Sequence, residues 1–224
     1  MDVFNFNSDL MDVPTVTGGL FTEHVAFSSP KGKLFLEEAQ HKTAFFALAQ
    51  NFEPQIHSTF CAIASSVVAL NTLLNKKKYC QHSLLKNLKG AIKPIEKILG
   101  SVPGVEPGLS LSELKELFKA LSFSCERTLA DNELTVDLLR NSFRENLDSL
   151  GSVIVVNFEY GHILDTKGGH FSPVAAYHEE SDRVLILDVA RHKNGWFWIE
   201  IKKLLKAMNT LDQGTLRGFL RVST

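Results

Sequence analysis

The chain has 224 residues, 44% of them hydrophobic, which is enough for one sizeable core or two packed lobes without help from a metal or a disulfide. Its 24 lysines and arginines against 25 aspartates and glutamates leave a formal charge of -1, so neither nucleic acid nor an anionic membrane finds a counterpart. Cys61, Cys80 and Cys125 are an odd number set far apart, which makes no disulfide framework and suits a reducing compartment.

No apolar run reaches the roughly 20 residues of a membrane helix, and Met1 to Leu10 lack the basic start and apolar centre of a signal peptide. A cytoplasmic location is therefore expected, although a mature secreted form stripped of its signal would read the same. Residues 1–28 mix Phe, Asn, Asp, Gly and Thr without a sustained period and are expected to form an irregular arm. Pro30-Lys-Gly32 punctuates the entry to the folded part. Leu34 to about Asn51 carries a helical pattern, interrupted near His41 and ended by Pro54.

Ile63, Val67, Leu70 and Leu74 then recur at helical spacing, and Ala64, Val68 and Leu73 widen the stripe. This predicts a helix buried on most sides, with Cys61 in its first turn and Ser58 or Thr59 as its cap. Lys76-Lys-Lys78 reads as a solvated exit. Two short helices follow from Ser83 to about Leu99, broken at Gly90 and Pro94, and then a loop from Gly100 to Gly108.

Ser110-Leu-Ser-Glu113 has the capping-box pattern and heads the apolar face Leu111, Leu114, Leu117, Phe118 and Leu121. A further helix, about Thr135 to Leu150, is expected to turn Leu138, Leu139, Phe143 and Leu147 inward, with Cys125 a structural residue between the two helices. From Gly151 the character changes. Residues 152–158, 171–177, 183–189, 196–201 and 216–222 are rich in β-branched and aromatic residues and read as strands, interrupted by one short helix at about Lys202 to Met208. The expected fold is α+β: a helical lobe at about 29–150 followed by a mainly antiparallel sheet lobe at about 151–222.

A cysteine at the first turn of such a helix lies among unpaired N–H groups at the positive end of the dipole, which favours the thiolate. Cys61 alone is as well explained as a small core residue. Its partners decide the matter. If the hairpin of 171–177 and 183–189 turns about residue 180, position 170 faces position 190 and Asp188 becomes the same-face diagonal neighbour of His170. Diagonal pairs lie roughly 7–8 Å apart at the backbone, within reach of an imidazole–carboxylate bond. The histidine can take the thiol proton and later return it to a leaving amine, while the carboxylate fixes its tautomer.

Gly168-Gly169 leave the backbone open to a closely approaching substrate. Gln55, six residues before Cys61, offers an amide donor beside the Cys61 backbone N–H for the oxyanion of a tetrahedral intermediate, a contribution of roughly 3–4 kcal/mol. Taken together, Cys61, His170, Asp188 and Gln55 describe a cysteine acyl-transfer site in a cleft between two lobes. His41, His57, Cys80 and His82 show no zinc-ligand spacing, so no metal site and no tightly bound cofactor is expected.

Longer blocks narrow the reading. Gln55-x5-Cys61-Ala-x-Ala-Ser-x4-Leu-Asn71, Gly168-Gly-His170-Phe-Ser-Pro-x-Ala-Ala-Tyr177-His, Val184-Leu-Ile-Leu-Asp188-Val-Ala-Arg191, and Met208-Asn-Thr-Leu-Asp212 with Arg217-Gly-Phe219 closely resemble the catalytic domain of phytochelatin synthases, from about Ser29 to Val222. The resemblance implies a papain-like fold and acyl transfer from glutathione. Cys61 would attack the Cys-Gly amide, release glycine and hold a γ-Glu-Cys thioester, which passes to a second glutathione or to water.

By the same match Arg217 and Asp212 would resemble the pair that grips the γ-glutamyl end, whose α-carboxylate and α-ammonium call for one guanidinium and one carboxylate. Asn157 and Gly169 would line the cleft, Phe219 stands where a tyrosine hydroxyl is sometimes found, and Arg191 is expected in a structural ion pair. The segment between Asp212 and Arg217 looks shorter than in other members. The cysteine-rich second domain of the plant enzymes is missing, as in the short bacterial form, where hydrolysis of glutathione competes with polymer synthesis.

The expected partners are glutathione and γ-Glu-Cys peptides, with cadmium or zinc arriving as glutathione thiolate complexes, and a homodimer is allowed. Two other readings stay open: a leader-peptide-cleaving cysteine peptidase, which shares the Gln-x5-Cys pattern, and a non-catalytic glutathione or metal-thiolate binding module with an idle thiol. The 188–191 block and the Arg217 region disfavour the peptidase.

Overall fold

A computed structural model describes residues 24–99, 108–164 and 166–224. In chain order its elements are strand β1 (Val25–Ala26), helices α1 (Pro30–Glu38), α2 (Thr43–Gln50), α3 (Cys61–Leu73), α4 (Gln81–Leu88), α5 (Lys93–Leu99) and α6 (Leu111–Ala120), strand β2 (Ser124–Leu129), helix α7 (Val136–Leu147), strands β3 (Ser152–Glu159), β4 (Gly169–His178), β5 (Arg183–Ile186) and β6 (Phe197–Glu200), helix α8 (Ile201–Met208), the ribbon β7 (Leu211–Asp212) and β8 (Thr215–Leu216), and strand β9 (Gly218–Ser223). All strands but those of the ribbon join one antiparallel sheet in the order β1-β6-β5-β4-β3-β9-β2. The class is α+β, as the pattern of elements predicts.

Strand β4 is the middle of the sheet, and every residue from His170 to His178 is buried. A strand buried on both faces needs helices on both. Helix α3 packs on β4 and β3, and α7 packs on the same two strands. Cys61 to Thr72 are all buried, so α3 is a central helix rather than a surface one. Its polar residues are satisfied internally, as such burial demands: Ser66 Oγ donates to the Ala62 carbonyl at 2.8 Å, and the Asn71 amide bonds Tyr79 in both directions.

Four expectations change. Pro30-Lys-Gly32 is the first turn of α1, capped by Ser29 Oγ accepting from Gly32 N at 3.0 Å, with proline at the position that needs no N–H. Val25–Ala26, expected in the irregular arm, pair with Trp198 and Phe197 at the sheet edge, while residues 1–23 of that arm lie outside the described residues. The expected loop lies outside them too, except for Gly108.

Ser124–Leu129 form the other edge strand rather than a connection, with Glu126 and Arg127 facing water, so one strand of the sheet comes from the helical part of the chain. Leu138 is 53% exposed, while Asn146, two turns further along the helix, is buried and bonds Ser152 Oγ.

The hairpin that carries the expected chemistry has a further correction. At its outer end His178 pairs with Arg183 and Tyr177 with Val184, one residue off the expected register. The register shifts between Val174 and Ala176, which leaves Ala175 unpaired, and from Val174 opposite Ile186 inward the offset is the expected one. Leu187 N donates to the Pro173 carbonyl at 3.0 Å and continues it.

Leu117 lies fully buried on α6, which packs on β2 and β9 away from the cysteine. Leu117→Ala should cost about 2–5 kcal/mol in urea unfolding with an unchanged m-value.

Candidate active site

The segment leading into α3 turns at Phe60, which has helix-flanking angles and no side-chain cap. Neither Ser58 nor Thr59 caps the helix. The Thr59 hydroxyl is instead bonded to His57 Nδ1 at 3.0 Å, and Ser58 and Thr59 line a cavity of about 310 Å³. The first-turn amides and the positive end of the dipole are therefore left directed toward Cys61.

Cys61 shares that cavity with Gly108, Leu109, Gly169, Phe171, Asp212 and Arg217, so one wall is helical and the other comes from the sheet. Its size is at the lower end of ligand pockets, which run to about 300–1,000 Å³.

The Cys61 thiol and the His170 imidazole act on one another through hydrogen bonding and charge. His170 Nε2 donates to Asp188 Oδ1 at 2.8 Å, leaving Nδ1 for the sulfur. Asp188 also accepts from Ala190 N at 2.8 Å on the same oxygen and from the Tyr160 hydroxyl at 2.7 Å on the other. Burial would push the thiol up, but the His170 hydrogen bond and charge, with the backbone N–H groups of Phe171 and Ala62, outweigh it and hold Cys61 below the ordinary thiol range. Burial likewise opposes charge on His170, yet Asp188 and Cys61 raise it to about 9. Both directions describe a thiolate–imidazolium pair at neutral pH. Cys125 contrasts with it: burial pushes that thiol up to about 11, which disfavours the thiolate.

Gln55 is tied to the stretch that follows β5 by its backbone N–H, which donates to the Val189 carbonyl at 2.9 Å. Its side-chain Nε2 donates to the carbonyls of His57 and Ser58 at 2.9 and 3.1 Å, so the amide braces the turn before Cys61. Gln81, fully buried on α4, holds the same stretch from behind through Ile56 N and the Pro54 carbonyl.

At the far end of the cavity Arg217 is 5% exposed inside a cage. Its Nη1 donates to Asn157 Oδ1 at 2.8 Å and lies 3.0 Å from Asp212 Oδ2. Its Nε donates to Thr210 Oγ1 at 3.1 Å, and its Nη2 reaches Glu159 Oε2 at 3.4 Å. A Cβ at Gly169 would collide with this guanidinium, which explains glycine there. Asn157 is fully buried and joins Arg217 to Asp212, donating to Asp212 Oδ2 at 3.0 Å, instead of lining the cavity. Phe219, expected to touch substrate, is 4% exposed and packs against the Phe143 ring in the core. Arg191 has no ion pair among the described residues and lines a second cavity with His24 and Trp196.

The sequence matches the family model for phytochelatin synthase over residues 17–219. The chain belongs to the phytochelatin synthase family. Curated relatives named glutathione gamma-glutamylcysteinyltransferase 1 from Arabidopsis thaliana and from Triticum aestivum are each 31% identical over 89% of this chain. The glutathione gamma-glutamylcysteinyltransferase of Schizosaccharomyces pombe is 27% identical over 88%. The matched region covers only 41%, 40% and 48% of those relatives, less than half of each. The phytochelatin synthase match also begins before Ser29, inside the stretch expected to lie outside the resemblance.

Two cage and site residues escape the sequence reading. Glu159 ends β3 and Tyr160 follows it, and only the pairing of Glu159 with Gly169 brings them beside Arg217 and His170. Among the described residues no three His, Cys, Asp or Glu side chains gather as a metal-binding group, and no helix is long and apolar enough to cross a membrane.

In this phytochelatin synthase family member, alkylation of Cys61 by iodoacetamide should be rapid at pH 7. His170→Ala should move the midpoint of its pH profile up past the ordinary thiol value, because burial then acts with less opposition. An unshifted midpoint, read by mass spectrometry of the labelled protein, contradicts the ion pair.

Proposed function

We propose that this chain is an acyl-transfer enzyme that cleaves glutathione at its Cys-Gly amide and passes the γ-Glu-Cys group to a second glutathione or to water. The observation that carries the reading is the bonded series Cys61, His170 and Asp188 opening on a cavity whose other end holds Arg217 between carboxylates.

The geometry supports a definite sequence of steps. The γ-glutamyl α-carboxylate meets the remaining N–H of Arg217. Asp212 and Glu159 place two negative charges around one guanidinium, so a negative charge is left for the α-ammonium. The Cys61 thiolate adds to the cysteinyl carbonyl carbon, and the oxyanion takes the Cys61 backbone N–H together with a Gln55 N–H released from its brace. His170 gives its Nδ1 proton to the glycine nitrogen as the C–N bond breaks, leaving a thioester and a neutral imidazole. The acceptor amine or water then attacks the thioester while His170 takes its proton, and Cys61 leaves as thiolate. Asp188 remains an anion throughout. Cadmium or zinc enters this scheme as the glutathione thiolate complex, that is, as substrate.

Incubation with glutathione, with and without cadmium, should release glycine with γ-Glu-Cys products by mass spectrometry. Cys61→Ser should abolish that release. Glycine release that survives in this variant rules out the nucleophile, and a parent protein that leaves glutathione intact while cutting longer peptides supports the peptidase. The imidazole must be protonated to expel glycine, and its folded value is raised, so the rate should fall as pH rises through about 9. Arg217→Ala should lower kcat/KM for glutathione by about 2 kcal/mol or more, near thirtyfold. An unchanged value assigns Arg217 to the fold.

A further inference from the structure

Tyr160 has no part in the scheme above, yet it touches two of the three bonded groups. It stands directly after β3, and its backbone N–H donates to the Gly168 carbonyl at 3.1 Å, which sets it diagonally beside His170 across the β3–β4 pair. The side chain is fully buried. Its ring lies on the His170 imidazole with centroids 4.5 Å apart and planes 27° apart, while Phe158 meets the same imidazole edge-on at 5.6 Å. Its hydroxyl donates to Asp188 Oδ2 at 2.7 Å.

We propose that Tyr160 is a positioning residue for acyl transfer: its hydroxyl locks the Asp188 carboxylate and its ring locks the His170 plane, so that Nδ1 faces Cys61. This deepens the proposed triad. A buried tyrosine needs some acceptor, and a backbone carbonyl would satisfy it. Here it takes the one carboxylate oxygen not used by His170 and Ala190 N. Asp188 is thus held by three donors on two oxygens and cannot rotate without breaking a charge-assisted bond. The ring blocks one face of the imidazole and favours its protonated form by the attraction of a cation to a π face.

Burial raises the phenol beyond any working pH, so Tyr160 acts as a neutral donor throughout. The charged or titratable groups around it are Asp188, Cys61 from α3 and His170 from β4, with Lys193 Nζ 5.4 Å from its ring. Helix α8, which packs on its turn, buries Ile201, Leu204, Ala207 and Met208.

Tyr160→Phe keeps the ring and removes the hydroxyl alone. The carboxylate, with one donor fewer, gives more of its charge to the imidazolium, so the pH at which His170 loses its proton moves up. The expected result is a fall in kcat for glycine release of about tenfold with KM for glutathione within about twofold, since a hydrogen bond to a charged group carries that much. The iodoacetamide–pH profile of Cys61 should shift its basic limb upward, a change that a purely structural role would not cause. The same substitution made on top of Asp188→Asn should cost much less, because the partner through which it acts is already altered.

A parental kcat and parental alkylation profile in Tyr160→Phe overturn the proposal, as does an equal loss in both backgrounds. The alkylation reading needs no glutathione turnover. A shifted profile in a protein that does not release glycine therefore upholds Tyr160 while rejecting the substrate.

Discussion

The hydroxyl of Ser65 donates to the Phe171 carbonyl at 3.0 Å inside the core, and the rest of the site depends on that contact. It joins the buried helix α3 to the middle strand β4 one residue from His170 and one turn from Cys61, fixing the separation of sulfur and imidazole from both sides. Neither element can shift alone, because each is packed all round and such interiors resist small displacements. The helix also begins uncapped at the cavity, so its dipole stabilises the thiolate at a point where solvent cannot. An ion pair inside a core is costly unless its surroundings compensate it. Here the compensation is local, with three donors on Asp188, backbone donors on the sulfur and an aromatic wall on the imidazole.

The Arg217 cage follows the same rule at the other end of the cavity. A guanidinium this buried requires anions, and Asp212, Glu159 and the Asn157 amide supply its acceptors before any substrate arrives. The cage is also braced across the cavity. Gln213, at the tip of the ribbon that carries Asp212, bonds the Gly108 carbonyl at 3.1 Å and Lys97 at 2.8 Å, and Lys97 is paired with Glu113. The guanidinium is therefore ordered in advance, and a ligand placed there would exchange one set of ion pairs for another instead of ordering a loose side chain.

Much of this was legible in the sequence where alternation alone decides the outcome. The two-residue period of 171–177 and 183–189 puts a carboxylate beside His170, and the helical stripe after Cys61 buries α3. What stayed hidden depends on pairings the period does not carry. Ser58 and Thr59 satisfy the composition of a cap, but Thr59 is committed to His57 and the helix starts one residue later. Ser124–Leu129 carries charges that disguise a strand, because only one neighbour, β9, defines it. Asn157 and Phe219 lie on residues that line up with substrate contacts, yet the amide faces Arg217 and the ring faces Phe143. Tyr160 is invisible until β3 and β4 are set in register, after which its place beside the imidazole is forced.

The unpaired Ala175 in the middle of β4 separates the outer turn from the inner register. The bulge absorbs a one-residue offset between the turn at 179–182 and the strand positions that set Asp188 beside His170. The turn itself is tied down, Glu179 by His41 and Arg144 and Asp182 by Arg140 and the Tyr177 hydroxyl, so the far end of the hairpin is anchored to α7 while the bulge alone reconciles its register with that of the inner end.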